Sequence, residues 1–444
     1  MTTTDTNEKL DFKRLLPIIF IVFVDLMGLT IIIPILPYYT LAFDAGPWAI
    51  GLLAAAYPLM QLLGGPVLSS LSDQYGRKRI LAFAQVGTFF SLLLLGFANA
   101  LWVVFLARIL DGITGANLPT VQAAISDVTT PKTRSQGFGL IGAAFGMGFI
   151  LGPALSGIAL ALTNNNYSAP AFLAACFAFV SVMLTTFVFE ETLPPEKRGE
   201  VQSNQRVFSP KRLFQALLDP VLGILFGLLF VQQLVFAAFQ IMFAPFTLNR
   251  LGLNSLGNTI FFVFVGVLSV IVQGGLIGKL TARFGERRLV IGGMSLVALG
   301  LLLMSATPQT VVPWYSLADM VVELQQGEGG VAEASAVQLD MLPPEDNRGL
   351  LGITFLLIAI IPLILGSSVL QPSFNSLITQ NADPTRIGAV LGISSGFMSL
   401  ANVLGPLWGG AAFDFLAPAA PFIIGGIIIV LVVPLAVTRV PKPV

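Results

Sequence analysis

The chain has 444 residues, of which 55% are apolar and only 10% charged, with a mean hydropathy of +0.86. A soluble protein of this length carries about 25% charged residues to wet its surface, so a cytosolic enzyme, a secreted domain and a disordered scaffold are excluded. Lys plus Arg and Asp plus Glu both number 23, giving no net field for nucleic acid, while a single cysteine (Cys176) and no histidine leave no disulfide framework and no thiolate metal site.

A helix needs about 20 apolar residues to cross ~30 Å of hydrocarbon. Runs bounded by charges or Gly/Pro/Asn clusters predict an all-α membrane protein with twelve transmembrane helices, at roughly 15–38, 48–71, 79–98, 101–126, 136–162, 169–189, 220–245, 257–280, 287–306, 349–376, 387–411 and 416–438. The first is not read as a cleavable signal, because Asp25 lies inside it and no small-residue cleavage site follows. With the N-terminus in the cytoplasm, all but three of the 23 basic residues fall on the inner side. They comprise Lys9, Lys13 and Arg14; Arg77, Lys78 and Arg79; Lys132 and Arg134; Lys197, Arg198, Arg206, Lys211 and Arg212; Lys279, Arg283, Arg287 and Arg288; Arg386; Arg439 and Lys442. The exceptions are Arg108, Arg250 and Arg348. This bias predicts a multi-pass protein of the cytoplasmic membrane with both termini inside.

The polar, proline-bearing stretch 191–219 divides the chain into residues 1–190 and 220–444, two pseudo-symmetric bundles of six helices. The halves repeat one another. Ser69-Ser70-Leu71-Ser72-Asp73-Gln74-Tyr75-Gly76-Arg77-Lys78-Arg79 matches Gly278-Lys279-Leu280-Thr281-Ala282-Arg283-Phe284-Gly285-Glu286-Arg287-Arg288. Likewise Gly148-Phe149-Ile150-Leu151-Gly152-Pro153 matches Ala401-Asn402-Val403-Leu404-Gly405-Pro406. Between these landmarks the second half carries about 44 extra residues, mapped to about 308–348 on the outer side. Seven acids fall there (Asp319, Glu323, Glu328, Glu333, Asp340, Glu345, Asp346) against Arg348. The expectation is a solvated loop that the fold does not need; a cation-attracting vestibule and a partner-binding lid are the alternatives.

The Asp73-to-Arg79 segment resembles the loop between helices two and three of the major facilitator superfamily, with Ser69 and Gln74 departing from its usual pattern. Leu106-Ala107-Arg108-Ile109-Leu110-Asp111-Gly112-Ile113-Thr114-Gly115-Ala116 resembles the fourth-helix motif of its proton-coupled drug exporters. The segment from Gly148 through Gly152 and Pro153 to Gly157 is similar to the fifth-helix antiporter motif, with Ser156 in place of glycine. Asp25-Leu26-Met27-Gly28, followed by Pro34 and Pro37, is similar to the first helix of tetracycline efflux pumps. The resemblance implies the major facilitator fold and a drug:proton antiporter. Those pumps carry an acid within the ninth helix, whereas 287–306 here has none, which leaves the substrate open.

Charges inside a membrane cost several kcal/mol unless they face a cavity or a partner, so each is a functional candidate. Asp25 lies about ten residues into its span, or ~15 Å, near the midplane. Arg108 and Asp111 are three apart and share a helix face. An arginine that approaches or leaves a buried carboxylate changes its proton affinity, so Asp25, Arg108 and Asp111 are the candidates for proton coupling. Mutual neutralisation of Arg108 and Asp111 is the structural alternative. Asp73, Gly76, Arg77 and Asp127 are the candidates for conformational gating, with Gly76 permitting the turn and Asp127 in reach of Arg77. The resemblance adds that Asp73 faces the start of the eleventh helix near Pro384. It also implies that Gly148, Gly152, Pro153 and Gly157 seal the resting site, although close helix packing alone accounts for them. Gln61, Asn117, Gln122, Gln232, Gln233 and Gln240 are the polar candidates for a cavity otherwise walled by aromatics, as amphipathic compounds require.

The function expected is proton-coupled efflux of small hydrophobic or amphipathic compounds by alternating access. No cofactor or metal is called for, because the proton gradient supplies the energy. The partners are substrate, protons and the lipid bilayer, without nucleic acid, and the chain is expected to be a monomer. A nutrient symporter of the same fold, and a non-transporting receptor or scaffold using the outer acidic loop, are the competing readings. An enzyme is not expected, since no nucleophile–base pair, metal cluster or phosphate loop is present.

Overall fold

Long apolar runs, poor in charge and bounded by glycine or proline, can satisfy their backbone in a bilayer only as helices, and they form helices here. The computed structural model describes residues 12–115, 117–129, 134–198, 210–325, 336–382 and 387–441. The first half contains α1 (Phe12–Ile32), α2 (Leu36–Leu41), α3 (Pro47–Tyr75), α4 (Arg77–Gly96), α5 (Leu101–Thr114), α6 (Leu118–Val128), α7 (Arg134–Leu162) and α8 (Ser168–Phe187). After the short α9 (Pro210–Leu217), the second half contains α10 (Leu222–Leu251), α11 (Ser255–Val270), α12 (Ile277–Phe284), α13 (Glu286–Ser305), α14 (Leu317–Gln325), α15 (Ala336–Met341), α16 (Leu351–Gln380), α17 (Ile387–Phe415) and α18 (Ala420–Arg439). A π-helical turn, Ile271–Leu276, joins α11 to α12.

Among the described residues, 10 helices are long and apolar enough to cross a membrane, against the twelve expected. Two stretches account for the difference. The fourth expected span is broken into α5 and α6, of 14 and 11 residues, each too short to cross alone. The break falls between Thr114 and Leu118, and proline occupies the first turn of α6, where its missing N–H costs nothing. The fifth is α7, a helix of 29 residues, whose described apolar part is Ile150–Leu162.

Glycines set how closely the helices approach. A Cβ on Gly148 would press on Leu26 of α1, and one on Gly152 would strike Thr30. The Thr30 hydroxyl donates to the Gly148 carbonyl at 2.8 Å, so α7 lies along α1 almost backbone to backbone. The same device joins the halves. Gly51 of α3 rests on the Pro406 carbonyl and on Gly410 of α17, and Gly157 of α7 faces Thr259 of α11. Hydrogen bonds between the halves cluster at this same end. Tyr38 donates to the Leu253 carbonyl at 2.8 Å and accepts from Asn258.

The insert is not the solvated loop expected from its composition. Val311, Val312, Tyr315, Met320, Leu324, Met341 and Leu342 are buried in the same apolar core as the spans. Its backbone is stitched in by Val312 N–H to the Leu251 carbonyl (2.9 Å) and by bonds pairing Val311 with Asn347 and Gly349 (2.9 Å each). The Tyr315 hydroxyl closes the insert by donating to Pro343 O at 2.9 Å. On its surface the Leu317 amide and Arg348 hold the Glu345 carboxyl below its ordinary range. Hydrophobic residues hidden among the acids explain the error: charge was read, and the Val-Val and Leu/Met positions between charges were not. Glu328, Glu333, Pro384 and the basic residues Lys9, Lys132, Arg206, Arg386 and Lys442 lie outside the described residues.

Candidate functional site

Asp25 sits in the middle of α1, half-buried against three other segments. The Ser181 hydroxyl of α8 donates to its Oδ1 at 2.6 Å. Gln85 of α4 and Asn117, beside the break before α6, donate amide N–H groups to Oδ2 at 3.4 and 3.5 Å. Thr185 donates to Gln85 Oε1 at 2.5 Å, which fixes the amide so that its nitrogen faces Asp25. One hydrogen bond is therefore strong and two are long, and all three donors are neutral.

Arg108 pairs with Asp111 at 3.1 Å and not with Asp25; both members of this pair are 5% exposed. Its guanidinium lies 4.6 Å from the centre of the Tyr57 ring, a cation–π contact, and its Nε has no hydrogen-bond partner among the described residues. Gln61 reaches the same corner, donating toward the Tyr57 hydroxyl and the Gly115 carbonyl at 3.3 Å each. The break after α5 thus leaves the Gly115 carbonyl, one turn beyond Asp111, to accept from the Gln61 side chain.

The loop between α3 and α4 is a second polar centre. Gly76 has φ +101°, a conformation that side chains other than glycine's rarely adopt, and a Cβ there would collide with Glu191. Arg77 is buried, with its guanidinium 2.6 Å from Asp73, 3.2 Å from Asp127 and 2.7 Å from the Ser72 hydroxyl. Its backbone N–H donates to Glu191 at 2.9 Å, and Thr192 donates to Asp127 at 3.2 Å, so the central connection is tied to the motif. Burial raises the proton affinity of Asp127, an effect that Arg77 opposes. The expected approach of Asp73 to the start of the eleventh helix near Pro384 lies outside the described residues.

A family model described as Major Facilitator Superfamily matches residues 18–354. The chain belongs to that superfamily. This facilitator is therefore a membrane transporter and not an enzyme. It is 33% identical over 282 residues to the class B tetracycline resistance protein of Escherichia coli, covering 62% of this chain and 68% of that protein. It is 26% identical over 443 residues to multidrug resistance protein 2 of Bacillus subtilis, covering 100% of this chain and 98% of the other. Among solved structures, a D-xylose–proton symporter superposes with a TM-score of 0.71 at 16% identity, covering 98% and 99% of the two chains, a likeness of fold.

The polar candidates for the facilitator's cavity do not form one group. Gln61 and Asn117 join the first-half centres, whereas Gln233 pairs with Asn402 at 2.8 Å between α10 and α17, beside the buried Gln232. Gln122 and Gln240 are half-buried on α6 and α10. Pro153 lies inside α7 immediately after Gly152, which touches α1, and Gly157 belongs to the seam between the halves. Sequence reasoning missed Tyr57, Gln85, Ser181, Thr185, Glu191 and Glu323. Ser181 and Thr185 could have been found as a polar pair four apart in an apolar span; Glu323 carried no such signal.

Proposed function

We propose that this facilitator exports small hydrophobic or amphipathic compounds in exchange for protons, by alternating access, with both termini cytoplasmic and the insert outside. The observation that carries the reading is Asp25, a carboxylate within the first bundle whose partners are all neutral donors. A proton can join or leave it without stranding a buried counter-ion. The Arg108–Asp111 pair stands apart as a charge-neutral unit that braces α5 against Tyr57 of α3. The names of the relatives, tetracycline and multidrug resistance proteins, support a drug-like substrate class. Within α13 the only acid is Glu286 in the first turn, so an amphipathic compound fits better than a metal chelate held by a mid-helix carboxylate. Stacked and edge-on rings along α10 and α17, Phe226 and Phe230 on Phe397, supply aromatic surface in the second half.

The test is accumulation of a fluorescent amphipathic cation in a pump-deleted host. The wild type is expected to lower accumulation only while a proton gradient stands. Asp25→Asn is expected to reach the membrane but lose uphill efflux. Uphill efflux at the wild-type rate in Asp25→Asn would overturn proton coupling through this residue.

A further inference from the structure

Glu323, on the insert helix α14, is 7% exposed and takes no arginine or lysine partner among the described residues. Instead five neutral groups donate to it. From the first half come Asn165 Nδ2 to Oε2 at 2.9 Å and the Tyr167 hydroxyl to Oε1 at 3.1 Å. From the second half come the Ser255 hydroxyl at 2.7 Å and its N–H at 3.4 Å, both to Oε1, and Asn254 Nδ2 to Oε2 at 3.3 Å. Each carboxylate oxygen is therefore shared between the two bundles. Ser255 opens α11, whose N-terminal dipole favours the negative charge.

The donors are set in place deliberately. Asn164 and Asn165 both adopt left-handed backbone, with φ +52° and +62°, which turns the α7–α8 loop. Asn254 caps α11 by accepting from the Gly257 N–H at 2.9 Å. Tyr167 packs 6.3 Å from the Tyr38 ring and 6.2 Å from that of Tyr39, so the carboxylate adjoins the Tyr38–Leu253–Asn258 contact across the seam.

We infer that Glu323 is a latch that holds the two bundles together on the insert side, and that opening this face requires its release from Asn165 and Tyr167. The inference rests on the alternating-access part of the proposed function and on neither its substrate nor its proton. Because the insert is hydrogen-bonded to the second half through Leu251 and through Asn249 to the Met341 carbonyl, the carboxylate travels with that half. Separation therefore strips it of its first-half donors while Asn254 and Ser255 stay. Hydrogen bonds to a charged group are among the stronger ones in a protein, so the closed state owes much of its population to this one side chain.

The experiment measures opening directly. Cys176 is replaced by serine, and Thr259→Cys places a reporter under Gly157, inside the seam. A membrane-impermeant maleimide is applied from whichever side labels Trp314→Cys, an exposed position on the insert, so the result does not depend on the assigned orientation. Glu323→Gln is expected to raise the labelling rate of the reporter about tenfold, since an amide sets a donor against donors. Tyr167→Phe and Asn165→Ala, each removing one first-half donor, should raise it severalfold and add little on top of Glu323→Gln. Unchanged labelling in Tyr167→Phe and Asn165→Ala overturns the latch, whether or not Glu323→Gln reaches the membrane. The readout stands whether or not export is proton-driven, so failure here is distinct from failure of the Asp25 test.

Discussion

The loop after α3 and the loop after α12 are built to one plan and wired differently. Each turns on a glycine of positive φ, Gly76 at +101° and Gly285 at +75°. In each, the next residue reaches the end of a neighbouring helix in its own half. Arg77 reaches Asp127 of α6, and Glu286 reaches Ser376 and Gln380 of α16, at 3.0 and 2.9 Å. The charge is inverted, and so is the setting. Arg77 is buried and enclosed by Asp73, Asp127, Ser72 and Glu191, whereas around Gly285 a Cβ would meet nothing within 4 Å. A backbone repeat therefore survives where its electrostatic content has diverged, and among the described residues only the first copy ties into the connection between the halves.

Four substitutions break or sharpen that contrast. Gly76→Ala should do most. It forces a strained backbone and displaces Glu191 from Arg77 and Leu193, costing at least about 3 kcal/mol in thermal unfolding of the detergent-solubilised protein. Arg77→Ala leaves Asp127 and Ser72 without their main donor, and a loss of about 2 kcal/mol is expected, with slowed turnover in the efflux assay. Gly285→Ala meets backbone strain alone, so about 1 kcal/mol is expected in the same melt. Glu286→Gln removes a half-buried charge that accepts from two neutral partners and leaves an amide oxygen to accept in its place, so its effect should stay below about 0.5 kcal/mol. Equal losses for the two glycine variants would show that Glu191 contributes nothing to the first loop.

The sequence made the helices legible because membrane spans are written in composition, and it made the loop motif legible because glycine and charge at fixed spacing have few other uses. It did not show the break at Gly115, since a helix interruption that lines a polar site carries no apolar gap. Asp25 was visible as a charge in an apolar run. Its environment was not, because Gln85, Ser181 and Asn117 arrive from helices far apart in sequence and only packing selects them. The insert was misjudged for the same reason in reverse: its acids announce water, yet one of them is buried by partners that lie between 68 and 158 residues away.

Those separations also order events in time. Chains emerge and insert from the N-terminus at about 5–20 residues per second, so Tyr38, Asn165 and Tyr167 are in place well before residue 323 is made. Until the insert is made, the donors at this face have only water to bond, and the two halves have only the Tyr38 contacts and Gly157 against Thr259 to hold them. Assembly of this seam is thus a late step of biogenesis, and a nascent chain arrested before α14 would carry the first bundle beside only α10 to α13, not yet fastened by Glu323.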